Sequence, residues 1–151
     1  MNTHVEFKFN KPEESPGYLL WQLNMLWQRK IKRELDKIDI THTQFVLLAT
    51  LAWLEKEKED VTQTEIASHS KTDRMMVSKV LRTLQRKGYL TRTEHETDTR
   101  AKVIKLTDKG RDLVQKALKI VEKEDGAFFS FLGSETQKFN SNLNILIKKN
   151  L

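Results

Sequence analysis

The most constraining feature of this sequence is a change in hydrophobic period near Gly88. Between residues 74 and 86, apolar residues recur every three or four positions, which is the spacing of one face of an amphipathic helix. Beyond Gly88 the chain continues in two short runs rich in Thr, Val, Ile and Tyr, which are typical of strands. The stretch 61–110 is therefore predicted to form helices followed by a β-hairpin.

A short helix is predicted to precede the amphipathic one. Thr62 and Glu65 have the spacing of a capping box, in which each side chain accepts a backbone N–H that the start of a helix leaves unpaired. Residues 68–72 are predicted to form a polar turn, and the second helix to run from about Asp73 until Gly88 ends it. Two helices joined by such a turn predict a helix-turn-helix.

The second helix of this pair has two contrasting faces. Its apolar face is expected to be buried and consists of Val77, Val80, Leu81 and Leu84. The opposite face is mostly polar and is about as long as the part of a helix that a DNA major groove accepts. That face consists of Met75, Ser78, Lys79, Arg82 and Arg86.

The hairpin is predicted to form a wing beside the second helix. Its strands are predicted at Tyr89–Glu94 and Lys102–Leu106, and the loop between them, His95–Ala101, is too polar to pack. Thr107 is placed to cap the helix that follows. Val61 is expected to make a one-residue bridge to the base of the hairpin.

Four short motifs occur in a fixed order along this stretch. They are Thr62-Gln-Thr-Glu65-Ile66-Ala67, Leu84-x-x-Lys87-Gly88-Tyr89-Leu90, Asp98-x-Arg100 and Leu106-Thr107-x-x-Gly110. In this order and at these separations they resemble the MarR family of bacterial winged helix-turn-helix transcription regulators. The resemblance implies a mainly α fold with a small β-hairpin wing, in which 41–110 bind DNA and 1–40 and 111–151 supply N- and C-terminal dimerisation helices.

The function implied by the resemblance is sequence-specific binding of double-stranded DNA, in the first instance as a repressor. A homodimer would bind a pseudo-palindromic operator, with recognition helices in successive major grooves roughly 34 Å apart. Arg100 would enter the minor groove beside Asp98, and a solvent salt bridge between these two residues is the alternative. The predicted DNA-binding residues are Lys71, Thr72, Arg74, Met75, Ser78, Lys79, Arg82, Arg86, Thr97, Asp98, Arg100 and Lys102.

The distribution of charge supports a nucleic-acid partner. Residues 61–110 hold eleven Lys and Arg against six Asp and Glu, a net charge of +5 out of +6 for the whole chain. A basic excess concentrated on one structural unit is the electrostatic pattern of a nucleic-acid-binding protein.

The helices at the two ends have more apolar surface than one small domain can bury. The first is predicted to begin at Pro16, with Ser15 as its cap, to continue to about Lys37, and to be apolar on two sides. The helix after the wing is expected to be broken by Gly126, and a last apolar helix to begin with Ser134 as its cap. First and last helices are therefore expected to pair across a two-fold axis.

Two further signals lie in the first third of the chain. Thr41 and Gln44 form a second capping box, which predicts a helix ending before the charged run 55–60. At the start, Val5, Phe7 and Phe9 alternate with polar residues and predict a short strand or an extended arm. The arm either lies against a partner subunit or is a mobile terminus.

Aromatic residues of the first two helices predict a ligand pocket between the dimerisation helices and the DNA-reading unit. Members of the family it resembles bind small aromatic anions in this region, so a small aromatic effector is expected. An aromatic cluster at helical spacing that simply forms part of the core is the alternative. The predicted ligand-binding residues are Tyr18, Trp21, Met25 and Trp53.

Composition argues against several other classes of protein. The chain has no cysteine, which excludes disulfides, thiolate metal sites and a thiol redox switch. No apolar run approaches the roughly 20 residues that cross a bilayer, and no secretory signal is evident, so a cytoplasmic protein without a membrane partner is predicted. No enzyme activity, cofactor or metal site is predicted. A winged-helix protein-interaction module is the alternative function, and it would need an apolar outer face on residues 74–86.

Overall fold

The computed structural model describes residue 1 and residues 3–98 and 100–151, and within them the chain forms six α-helices and a three-stranded sheet. Two short 3₁₀ helices, Pro12–Glu14 and Ser130–Glu135, precede the first and last α-helices. The α-helices are α1 Pro16–Asp36, α2 His42–Leu54, α3 Gln63–Ser70, α4 Arg74–Arg86, α5 Asp108–Phe129 and α6 Thr136–Lys149. The strands are β1 Val61–Thr62, β2 Leu90–Glu94 and β3 Lys102–Leu106.

Five of the helices begin at capping residues that are visible in the sequence. Ser15 Oγ accepts from the N–H of Tyr18, and both predicted capping boxes, at Thr41 and Thr62, are complete. Asp73 caps α4 and Thr107 caps α5, each accepting a backbone N–H three residues further on. The predicted starts of these helices are confirmed.

The sheet is antiparallel throughout and has the strand order β1-β3-β2. In the hairpin, Leu90 lies opposite Leu106, and Glu94 lies opposite Lys102. Val61 pairs with Ile104, so the predicted bridge to the base of the hairpin exists, although β1 is two residues long rather than one.

Two buried clusters hold the helices together. The larger one joins α2, α3, α4, the start of α5 and the sheet, and it includes Val77, Leu81 and Leu84 of the predicted apolar face of α4, with Val80 packed at its edge. The smaller cluster joins α1, α2 and α5 and consists of Ile31, Leu35, Ile40, Phe45, Ala117 and Val121. The helix-turn-helix and wing are thus attached to α1 through α2 and α5, because both of these helices contribute residues to both clusters.

The predicted break at Gly126 is wrong, because α5 continues through it to Phe129. A glycine inside a helix costs only about 1 kcal/mol relative to alanine, and the rings of Phe128 and Phe129 form an edge-on contact with each other at 5.0 Å. The chain instead turns at Gly133, which has a φ of +52°.

The predicted cap at Ser134 is also wrong. The last helix begins at Thr136, after Glu135, and has no side-chain cap; the Thr136 hydroxyl donates to the carbonyl oxygen of Gly133.

The predicted polar turn at 68–72 is shorter than expected. Residues 68–70 belong to α3, because Ser70 Oγ donates to the carbonyl oxygen of Ile66 at 2.7 Å and so is satisfied within the helix. Lys71, with a φ of +55°, then ends α3 in the left-handed conformation.

The ends of the chain expose apolar surface, as the sequence predicted. In the first half of α1, Leu19, Leu20 and Leu23 are exposed, and α6 has no buried residue. The arm forms no strand in residues 3–11, and Phe7 is 83% exposed. None of the helices within the described residues is long and apolar enough to span a membrane.

Candidate nucleic-acid interface

The outer face of α4 is open to solvent and basic. Because Val77, Leu81 and Leu84 are fully buried, the opposite side of the helix faces outward. Ser78 is only half exposed, at the edge between the two faces, whereas the other predicted residues of α4 are exposed. The exposed ones are Arg74, Met75, Lys79, Arg82 and Arg86.

The turn before α4 places two further predicted residues beside it. Lys71 is exposed, and its ammonium group donates to the carbonyl oxygen of Ser68 at 3.2 Å. Thr72 is half-buried, and its hydroxyl donates to the carbonyl oxygen of Ser70. Both side chains therefore lie at the amino-terminal end of α4, which is the end that carries the positive partial charge of the helix.

The tip of the wing is organised by its own side chains. His95 Nδ1 accepts the backbone N–H groups of Thr97 and Asp98, both at 3.3 Å. Asp98 Oδ1 accepts the backbone N–H of Arg100 at 3.1 Å, so the acid orients the backbone that carries this arginine. Arg100 itself is exposed at the tip. The neighbouring Thr99 lies outside the described residues.

The base of the wing is tied to the rest of the domain by bonds to the backbone. Glu55 Oε1 accepts the N–H of Leu106 at 2.9 Å, and the Thr107 hydroxyl donates to the carbonyl oxygen of Gly88 at 2.6 Å. Lys102, the remaining predicted residue, is half-buried and lies 3.6 Å from Glu94 across the hairpin. These bonds hold the wing in one position relative to the end of α4.

Two residues at this interface were missed by the sequence analysis. Arg92, on β2, donates through Nη2 to Gln63 Oε1, at the first position of α3, at a distance of 3.0 Å. Alternate residues of a strand share a face, so Arg92 lies on the same face of β2 as the apolar Leu90. A cation on that face was the signal in the sequence that could have identified Arg92. Its partner could not be inferred, since 29 residues separate the two.

Two cavities are lined by residues of α1, and the smaller one also reaches the turn before α4. The larger, about 870 Å³, lies between α1, the end of α5 and α6, and the smaller, about 480 Å³, lies between α1, α2 and the turn before α4. The structure does not bring the four predicted ligand-binding residues together. Tyr18, Trp21 and Met25 lie in the first half of α1. Trp53 lies near the end of α2, eleven residues or about 16 Å along that helix from His42, the residue that contacts Trp27 of α1. None of Tyr18, Trp21, Met25 and Trp53 lines either cavity.

Trp27 instead separates the two cavities, because its side chain lines both. The indole N–H donates to Asp125 Oδ1 at 2.7 Å, and the ring makes an edge contact with His42, with ring centres 5.0 Å apart.

Burial lowers the pKa of His42, while the nearby carboxylate of Asp125 acts in the opposite direction. Lys71 and Asp73 also line the cavity that contains His42.

We expect the stability of the protein to fall as the pH drops below about 6.5, the ordinary pKa of a histidine. Because the pKa of His42 is lower in the folded state, the unfolded chain binds more protons in this range, so acid favours unfolding. A His42→Gln variant should show a flatter dependence of its urea midpoint on pH. His69→Gln, a change at an exposed position of α3, is the control and should keep the wild-type slope. Equal slopes in wild type and His42→Gln would contradict the assignment.

A helix-turn-helix whose second helix has a basic outer face, together with an adjacent wing, defines a winged helix-turn-helix DNA-binding protein. Residues 36–124 match the family of ArnR1-like winged-helix domains. The chain is 45% identical over 141 residues to the uncharacterised HTH-type transcriptional regulator YdcH of Bacillus subtilis (strain 168), covering 93% of this chain and 95% of that one. It is 30% identical to the organic hydroperoxide resistance transcriptional regulator of the same organism, over 77% of this chain and 78% of that one.

Solved structures that resemble this one include DNA complexes. The Staphylococcus aureus MepR–DNA complex has a TM-score of 0.82 and 28% identity, covering 91% of this chain and 99% of that one. The transcriptional repressor CouR, bound to a 23-mer DNA duplex, has a TM-score of 0.78 and 25% identity, covering 97% and 100%. The chain belongs to the MarR family of winged helix-turn-helix transcription regulators, as its motifs predicted, and it is a DNA-binding transcription regulator.

Proposed function

We propose that this protein is a repressor that binds a pseudo-palindromic operator as a homodimer in the bacterial cytoplasm, where the chromosome is. In this proposal 41–110 form the DNA-binding region, and 1–40 and 111–151 form the dimerisation helices. Each α4 enters a major groove, and each wing lies over the adjacent minor groove. The observation that carries the proposal is the exposed, basic outer face of α4 beside a wing that is anchored at its base and ordered at its tip by its own side chains.

The exposed face of α4 also distinguishes this function from that of a protein-interaction module. Met75 and Met76 are its only large exposed apolar residues among those described, and both lie in its first turn. The rest of the face presents cations and polar groups, which favour phosphates and base edges over an apolar partner surface.

The proposed dimer explains the apolar surface that one chain leaves open. Leu19, Leu20 and Leu23 of α1 line the larger cavity together with Phe139 and Leu143 of α6. Ile145, Leu146 and Ile147 are also exposed on α6. A contiguous apolar surface of this kind is typical of an obligate interface, which buries roughly 2,000 Å² or more.

A small aromatic effector belongs to the same proposal. BpsR of Bordetella bronchiseptica has its DNA binding regulated by 6-hydroxynicotinic acid, and CouR of Rhodococcus jostii RHA1 binds p-coumaroyl-CoA. In this chain the smaller cavity suits such a ligand better than the four residues predicted from the sequence, because it reaches from Trp27 to the turn that carries α4. An effector would act by preferring a dimer in which the two α4 helices are wrongly spaced for the operator.

The effector is tested by screening aromatic carboxylates in a Trp21→Phe, Trp53→Phe background, in which Trp27 is the one remaining tryptophan and is excited selectively. A compound that releases the operator should also change Trp27 emission. A compound that releases the operator without changing Trp27 emission would contradict the choice of cavity. If no compound that binds the protein changes its affinity for the operator, the regulator is constitutive.

The DNA-binding proposal is tested by separating α4 from the wing. Arg82→Ala should cost roughly 1 to 3 kcal/mol of operator binding and relax base preference, because Arg82 is exposed on the groove-facing side of α4. Arg100→Ala should weaken binding to sites with A·T-rich flanks far more than to sites with G·C-rich flanks, because a narrow minor groove concentrates negative potential. Fluorescence anisotropy with matched operators measures both effects.

Neither substitution should lower the melting temperature much, since both side chains are exposed. Arg111→Ala, a change to an exposed arginine of α5 paired with Asp108, is the control and should leave operator binding unchanged. An Arg100→Ala protein that binds every operator as well as wild type would show that the wing does not touch DNA.

A further inference from the structure

Arg92 occupies an unusual position for a cation. It lies on β2, opposite Ile104 of β3, and it shares its side of the strand with the buried Leu90. Its side chain is half-buried and reaches the first residue of α3, where Nη2 donates to Gln63 Oε1 at 3.0 Å. The guanidinium group is therefore held at the junction between the sheet of the wing and the helix-turn-helix.

The hydrogen bonding of Arg92 is incomplete. Its Nε is buried and has no acceptor, and it is the one such side-chain atom among the described residues. No described carboxylate lies within ion-pair distance of Arg92, whereas its hairpin neighbours Lys102 and Lys105 lie 3.6 Å from Glu94 and 3.3 Å from Asp60. A partly buried cation without an anion is unfavourable, because one hydrogen bond to a neutral amide replaces only part of the hydration that it loses.

A second cation increases this imbalance. Burial lowers the pKa of the Arg92 guanidinium, and the positive charge of Arg82, on α4, lowers it further. Arg92 is therefore hydrogen-bonded to a neutral amide and repelled by another arginine. This arrangement concentrates positive potential where the recognition helix and the wing approach each other.

A purely structural role does not account for the charge. A neutral side chain of similar length could fill the same space without the cost of a buried cation. A charge that is uncompensated in the free protein is compensated when an anion binds. On a protein that places α4 in the major groove and the wing over the minor groove, the anion that crosses this junction is the DNA backbone.

We propose that Arg92 is a phosphate-binding residue that takes one backbone phosphate of the operator between α4 and the wing, and that Gln63 positions it for this contact. The inference rests on the proposed docking of α4 and the wing on DNA. Arg82 remains the residue that faces the bases, and its charge adds to the potential at the phosphate. The contact is independent of base sequence, and it sets where the wing lies relative to α4.

The experiment compares Arg92→Met with Arg92→Lys, Gln63→Met and the control Arg111→Met. Operator and random-sequence duplexes are titrated by fluorescence anisotropy over a range of KCl concentrations. Melting temperatures are measured without DNA in a buffer free of phosphate and sulfate. Wild-type binding to the operator is established first, so that a failure of the proposed function is seen independently of any variant.

We expect Arg92→Met to weaken binding roughly 10- to 100-fold per subunit, and so by about 100-fold or more for the dimer, because a charge-assisted hydrogen bond is lost in each subunit. The loss should be equal on operator and random duplexes, and the slope of log K against log salt should become shallower by about two for the dimer. Without DNA the melting temperature should be equal to or higher than that of wild type.

Arg92→Lys should keep the salt slope, since it keeps the charge, and Gln63→Met should weaken binding without changing the slope. Arg111→Met should change neither quantity. An unchanged slope in Arg92→Met, while wild type binds the operator normally, would overturn the inference and leave the proposed function intact. A melting temperature that falls in Arg92→Met without DNA, with an unchanged slope, would assign Arg92 a structural role only.

Discussion

A Gly110→Ala variant is expected to lose roughly 3 kcal/mol of its free energy of unfolding, the upper end of the usual range for overpacking. A Cβ atom at this position would lie 1.9 Å from the carbonyl oxygen of Tyr89 and 2.9 Å from its carbonyl carbon. The N–H of Thr107, which caps α5, donates to that same Tyr89 oxygen at 3.1 Å. The backbone therefore has to separate at the point where α5 leaves the wing. Urea unfolding followed by circular dichroism measures the loss.

The matched control lies on the same helix. Around Gly126 of α5, a Cβ atom would meet no other atom within 4 Å, so Gly126→Ala should raise the free energy of unfolding by up to about 1 kcal/mol. The two substitutions are chemically identical and should have opposite signs. If Gly110→Ala were as stable as Gly126→Ala, the close approach of α5 to Tyr89 would not exist in solution.

A Leu20→Glu variant is expected to raise the dissociation constant of the proposed dimer on the order of a thousandfold. Leu20 is 59% exposed in one chain and lines the larger cavity, so the substitution costs little in a monomer. In the dimer it would bury one carboxylate per subunit in an apolar interface, at roughly 2 kcal/mol or more each. Analytical ultracentrifugation over a range of concentrations measures the change, and operator binding should weaken in parallel.

Trp53→Glu controls for the loss of an exposed apolar side chain. Trp53 is 53% exposed near the end of α2 and does not line the larger cavity, so its substitution should leave the dimer intact. Removing residues 135–151 should leave the protein aggregated or unfolded, although no residue of α6 is buried within one chain. A soluble, well-folded monomer after this deletion would contradict the proposed interface.

Helix starts were predictable because their signals are local. At Thr41 and Thr62 the two halves of each capping box lie three residues apart, so no tertiary contact is needed for them to meet. The hairpin was equally predictable from the sequence, because its signals are also local. The hydrophobic period changes just after Gly88, and this glycine has the left-handed conformation that ends the helix.

Features that depend on distant contacts were predicted less well. Glycine has a low helix propensity, so Gly126 was predicted to end the helix. The cost of one glycine in a helix is small, however, and α5 continues through it to Phe129. Tyr18, Trp21, Met25 and Trp53 are suited to a ligand pocket by type, but helix packing placed Trp27 between the two cavities instead. Residue type identifies candidates for a pocket, whereas the packing of helices decides which of them line it.

The sequence by itself determined the winged helix-turn-helix, its family and the basic face of α4, because each follows from periodicity and motif order within residues 61–110. Only the tertiary structure decided how the cations of that unit are compensated. It paired Lys105 with Asp60, tied Arg92 to Gln63, and left the Arg92 Nε without an acceptor beside the charge of Arg82. The physical reason is that the energy of a charge depends on burial and on neighbours within a few ångströms, and folding brings those neighbours together from distant parts of the chain.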